Sequence, residues 1–177
     1  MLTLGPLIVI VLRLLLPLLV FKYRVAGSIV AVLADALDVV AITAINNGEF
    51  ASYHTTDKYL DMYYLTLELF VCFSFKNTLA KNASIFLFAW RLIGFVLFEI
   101  THVRSVLFFF PNLFENFFLF YVVMRKYAKK DWISSKKNLF IILILLLIPK
   151  LVQEYFLHVL QAQPWKWIRF NILGMTR

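Results

Sequence analysis

Eight of the chain's ten acidic residues fall inside long apolar segments or at their mouths: Asp35, Asp38, Asp57, Asp61, Glu68, Glu99, Glu115 and Glu154. Only Glu49 and Asp131 sit clearly in loops. A charged side chain near a bilayer centre costs roughly 2.5–3.5 kcal/mol even on lenient insertion scales. A chain carrying eight such groups has to answer them with ion pairs, a metal or a water-filled cavity. The acids are therefore the main pointer to function, and they point to an intramembrane polar site.

The apolar segments are long because the 177-residue chain is 62% hydrophobic, with 19 phenylalanines. Soluble domains run about 45–50%, so composition favours an all-α, polytopic integral membrane protein. A bilayer core takes about 20 apolar residues per helix. That ruler gives a six-transmembrane-helix bundle, with spans Leu2–Phe21, Ser28–Ile45, Leu60–Phe75, Ala83–Thr101, Val106–Met124 and Leu139–Leu160. The third extends back toward Asp57. Residues 1–162 read as one transmembrane domain. Residues 163–177, with Trp165, Lys166, Trp167 and Arg169, read as an interfacial tail. The first run begins almost at Met1 without a basic leader or a small-residue cleavage site, and reads as a retained span. The single cysteine, Cys72, allows no internal disulfide.

Net charge is +8, but its cations cluster in short segments between spans. That distribution fits anionic lipid head groups and membrane orientation rather than nucleic acid. Alternate loops on one side hold Lys22, Arg24, Lys76, Lys81, Arg125, Lys126, Lys129, Lys130, Lys136 and Lys137; the other side holds Lys58, Arg104, Lys166, Arg169 and Arg177. The excess places the first side in the cytoplasm and both termini outside, in a cell (inner) membrane.

Helical spacing gathers the polar residues. Asp57, Asp61, Tyr64 and Glu68 share one face of the third span, and Asp35 and Asp38 share one face of the second. Arg91, Glu99 and His102 form a stripe on the fourth. The fifth carries Asn112, Glu115 and Asn116, and Lys150, Glu154 and His158 step by four along the sixth. Alternating the span directions brings Asp38, Asp57, Asp61, Glu99, His102, Arg104, Asn112, Glu115, Glu154 and His158 to the less basic side, where a shared cavity is expected. Arg13, alone on the first span, either snorkels or pairs inward. Lys150 and Glu154 also read as an ion pair that makes their helix tolerable. Asp35, Asp38, Asp57 and Asp61 are harder to explain structurally, because four carboxylates repel one another unless a cation or protons intervene.

The two segments Ala34-Asp35-Ala36-Leu37-Asp38 and Asp57-Lys58-Tyr59-Leu60-Asp61 resemble the CDP-alcohol phosphatidyltransferase family. That family places D-x2-D and D-x3-D on the second and third of six membrane helices. The resemblance covers residues 35–61. It implies that Asp35, Asp38 and Asp57 hold a divalent metal, Mg²⁺ or Mn²⁺, and that Asp61 binds metal or acts as general base. The gap between the pairs is one residue longer here. The family's motif Gly, Ala, Arg and Gly positions hold Val39, Ile42, Thr43 and Ser52.

Three readings stay open. The first is a metal-dependent transferase or hydrolase acting on a lipid or polyprenyl phosphate. Asp61 and His158 would be catalytic, with Arg104, Asn112, Glu115, Lys150 and Glu154 around the substrate. The second is a small proton- or cation-coupled transporter, which at this length calls for a homo-oligomer. The third is a non-catalytic subunit of a membrane complex. The partners common to all three are membrane lipids.

Overall fold

The computed structural model describes the backbone of residues 4–46, 53–103, 105–128 and 131–160, and their side chains apart from those of 4–6, 39–46, 53–55 and 157–158. The interfacial tail at 163–177 lies outside the described residues. So does Arg104, and nothing is described of the His158 side chain.

Every regular element among the described residues is helical. Helix α1 (Leu4–Leu15) tightens into a 3-10 segment, Leu16–Phe21, where Pro17 enters. Helices α2 (Arg24–Asn46) and α3 (Tyr53–Cys72) follow, then α4 (Thr78–Thr101), α5 (Ser105–Phe109), α6 (Leu113–Val123) and α7 (Lys136–Glu154). A π turn extends α6 over Met124–Ala128, and another extends α7 over Tyr155–Val159.

The ends have local causes. The Asn77 side chain caps α4 by accepting from the Ala80 amide, and Ser135 caps α7 by accepting from Asn138. At the other end of α4, His102 takes a left-handed conformation with φ 55°, and its amide donates to the Phe98 carbonyl.

One expected element is corrected. The apolar run Val106–Met124 is two helices, not one, separated at Phe110–Asn112. Pro111 has no amide to donate and disfavours helical backbone in the residue before it. Gly94 of α4 receives this break: a Cβ there would lie 2.7 Å from Phe110 Cγ.

Contacts run antiparallel from each helix to the next. On α2 and α3, Arg24 meets Ser74 and Ser28 meets Glu68. On α3 and α4, Tyr59 meets Phe95 and Glu99. Phe88 packs on Phe114 between α4 and α6, and the Asn112 amide reaches Glu154 of α7. Helix α3 lies against α1, α2, α4 and α6. At its inner face Leu65 packs with Phe114, Phe117 and Phe118, all fully buried. Phe75 closes that core, with its ring centroid 4.4 Å from Tyr121 and 5.9 Å from Phe118.

Beside the apolar core, several charged side chains are buried and many large apolar ones are exposed. Arg13, Asp38, Glu68, Arg91, Lys150 and Glu154 are buried, while Ile100 is 71% exposed, Phe140 64% and Leu145 63%. Among the described residues, one helix, Thr78–Thr101, is by itself long and apolar enough to cross a membrane, and Leu7–Phe21 is a shorter apolar helix.

Candidate functional site

The antiparallel order brings the C-terminal part of α2 beside the N-terminal part of α3, and α1 lies against both. Asp35 and Asp38 therefore meet Asp57 and Asp61, as their helical spacing requires. Between them stands Arg13. Its Nη1 donates to Asp38 and, at 2.5 Å, to Asp57 Oδ1; its Nη2 donates to Asp35 and, at 2.7 Å, to Asp61 Oδ1. One guanidinium thus joins four carboxylates from two helices to a third.

Lys58 adds a second cation. Its Nζ lies 3.0 Å from Asp57 and 3.6 Å from Asp61. Counting only the ion pairs among the described residues, four carboxylates against Arg13 and Lys58 leave a formal excess of two negative charges. Oxygens of Asp35, Asp57 and Asp61 all lie within 4.8 Å of one another, a span that a single metal ion could bridge. Asp38 joins this group through Arg13, and is the most buried of the four acids. Asp35, at 42% side-chain exposure, is the most open.

Asn112, Glu115, Lys150 and Glu154 form a separate cluster at the Pro111 break. Glu154 Oε1 accepts from the Asn112 amide at 3.0 Å and lies 3.6 Å from Lys150 Nζ. Glu115 Oε2 accepts from Asn112 Nδ2 at 2.8 Å, and Arg91 Nη1 donates to the Phe110 carbonyl at 2.9 Å. Backbone groups released by the break are thus taken up by charged side chains from α4 and α7. The two clusters face each other across Arg91, which is within electrostatic reach of Asp61, Lys58 and Glu115. Glu99 stands apart, receiving the Tyr59 hydroxyl at 3.1 Å on an exposed edge.

A polar line continues down α3 from Asp61. The Tyr64 hydroxyl turns toward Glu68 and Glu115 without hydrogen-bonding geometry to either. Glu68, fully buried, accepts from Ser28 Oγ at 2.5 Å. The Tyr64 hydroxyl, Glu68 Oε2 and Asn112 Oδ1 are buried without a hydrogen-bond partner among the described residues. Ser28, four residues after Arg24 and seven before Asp35, continues the polar face of α2, which is the signal in the sequence for its contact with Glu68.

Arg13 takes the inward one of its two expected positions, and what the sequence left open is which groups it meets. Sequence separation hid its partners, 22 to 48 residues downstream. The available signal was electrostatic: an arginine alone on an apolar helix and four acids without a cation each require what the other supplies. Set beside known proteins, the chain matches no family model, no curated protein and no solved structure.

Proposed function

We propose that the chain is a multi-pass membrane protein whose Arg13–carboxylate cluster is a divalent-cation site serving transfer or hydrolysis of a lipid phosphate. The observation that carries this reading is the meeting of Asp35, Asp57 and Asp61 oxygens within 4.8 Å. Their residual charge is what one Mg²⁺ or Mn²⁺ would neutralise, and such ions take oxygen ligands. The outward-facing aliphatic and aromatic side chains of α1, α4 and α7 support a lipid environment, since soluble monomers rarely expose such large apolar surfaces. In that environment the apolar segments make six spans, with the basic loops cytoplasmic and both termini across a cell (inner) membrane.

A metal bound there would screen the charge of a phosphate or pyrophosphate. Asp35, the most open carboxylate, would meet the ion first. Asp61 would take the proton of the attacking hydroxyl, and Arg13 would keep the carboxylates together when the ion leaves. The partial likeness to CDP-alcohol phosphatidyltransferases supports a lipid-phosphate substrate. The substituted positions Val39, Ile42, Thr43 and Ser52 favour one other than a CDP-activated lipid.

Thermal unfolding in detergent with and without millimolar Mg²⁺ or Mn²⁺ tests the site. Metal at 100 times its dissociation constant should stabilise the wild type by about 2.7 kcal/mol and leave Asp57→Asn unmoved. A wild type indifferent to both metals would sink the reading.

The line from Asp61 through Tyr64 to Glu68, with its unpartnered oxygens, favours a second reading in which the cluster exchanges protons with the opposite end. Proton flux in liposomes, abolished by Glu68→Gln and independent of divalent metal, would select it over the first.

A further inference from the structure

The bundle end opposite the carboxylates carries an open cavity of about 630 Å³, bordered by Lys22, Arg24, Lys76, Arg125 and Lys126, with no acidic residue in its wall. Arg24 opens α2, fourteen residues from Asp38, which on a helix is about 21 Å away. The cavity is therefore separate from the carboxylate site.

Chain alternation produces this convergence. The link from the 3-10 segment to α2 brings Lys22 and Arg24. The link from α3 to α4 brings Lys76, and the end of α6 brings Arg125 and Lys126. Among the described residues at this end the one acid is Asp131, which accepts from Asn77 at 2.9 Å and lies 3.8 Å from Arg125. Arg24 donates to Ser74 at 3.0 Å, while Lys22 and Lys126 lie over the rings of Tyr23 and Tyr127. None of these contacts neutralises Lys22, Lys76 or Lys126. Like charges gathered around one cavity repel unless an anion joins them, and basic pockets between membrane helices are suited to anionic head groups.

The cavity's walls decide what kind of anion. Buried Val25, Phe75 and Val122 give it an apolar floor. Phe21 and Phe73, each next in sequence to a lining residue, are 53% and 50% exposed. Exposed apolar rings at this end of the bundle suit the acyl chains that a lipid phosphate carries. We infer that this cavity binds the phosphate-bearing head group of an anionic membrane lipid. The inference rests on the membrane reading of the chain and not on the metal reading.

The experiment titrates the detergent-purified full chain with dihexanoyl phosphatidylglycerol, dihexanoyl phosphatidylcholine or inorganic phosphate, following intrinsic tryptophan fluorescence and the unfolding midpoint. Saturable binding of phosphatidylglycerol is expected, with none of phosphatidylcholine. Lys22→Gln and Lys126→Gln should each weaken it about fivefold, the worth of one cation at an anionic lipid surface. Lys22→Arg, which keeps the charge, and Lys136→Gln, an exposed cation outside the cavity wall, should leave it unchanged. If a glutamine variant fails to fold, wild-type affinity must still fall with rising salt; a flat response overturns the inference. Inorganic phosphate binding as tightly as phosphatidylglycerol overturns the lipid assignment, as does equal binding of phosphatidylcholine. A chain that stays monodisperse without detergent would remove the membrane reading itself, and the inference with it.

Discussion

The carboxylate cluster around Arg13 and the Asn112–Glu154 cluster at the Pro111 break lie toward the same end of the bundle and are built on different principles. In the first, side chains answer side chains: Arg13 and Lys58 meet four carboxylates, and acid remains in excess. In the second, side chains also answer backbone: beside the Lys150–Glu154 pair and the Asn112–Glu115 bond, Arg91 takes the Phe110 carbonyl and Glu154 takes the Asn112 amide. A residue held by the main chain has a local structural task and little freedom to leave it. A carboxylate among surplus carboxylates can exchange its counter-ion. Polar burial alone therefore does not mark a place where a counter-ion can exchange; a surplus of one sign does.

Removing the cation at the centre of the first cluster should have the largest effect. Arg13→Ala removes the cation that joins Asp35, Asp38, Asp57 and Asp61, and breaking a buried pair typically costs about 3–5 kcal/mol. Chemical unfolding in detergent should show that loss, and excess Mg²⁺ should restore part of it. A loss without restoration would make the cluster purely structural.

The matching test of the second cluster is Glu154→Ala, which orphans the Asn112 amide and removes the carboxylate beside Lys150. A loss of about 3 kcal/mol is expected, and Mg²⁺ should not recover it. Glu154→Gln keeps an acceptor and should cost less. Equal metal rescue in Arg13→Ala and Glu154→Ala would erase the distinction between the clusters.

Gly94→Ala examines the break from its other side. The added Cβ would meet the Phe110 ring, and overpacking of this kind costs about 1–3 kcal/mol. Hydrogen exchange should then quicken in α5 and at the start of α6 before it changes in α2. Ser28→Ala should be the mildest change, removing one hydrogen bond to Glu68 at about 0.5–1.5 kcal/mol, the usual net worth of one such bond. Its unfolding midpoint should fall slightly, with metal dependence unaltered.

Much of this arrangement was legible before any coordinates. Four-residue spacing placed Asp57 and Asp61 on one helix face, and alternation of apolar segments brought them to Asp35 and Asp38. The Lys150–Glu154 pair followed from its i,i+4 spacing, and is present at 3.6 Å. What escaped was of two kinds. Hydropathy is uniform across Val106–Met124, so the break at Pro111 was outweighed by the apolar residues around it. Contacts made by Arg13 depend on tertiary placement, and no periodicity within one helix can report a partner on another. The basic residues give an expectation of orientation, whereas their closure around one cavity requires knowing that three chain segments converge.

Arg13 also sets a schedule. Its partners lie 22 to 48 residues later in the chain, so the guanidinium is synthesised well before the last carboxylate exists. At about 5–20 residues per second, the interval to Asp61 is roughly 2–10 s. Helix α1 therefore spends its first seconds carrying a charge that α2 can only partly answer. Its final seat is determined by α3, a segment not yet made when α1 emerges.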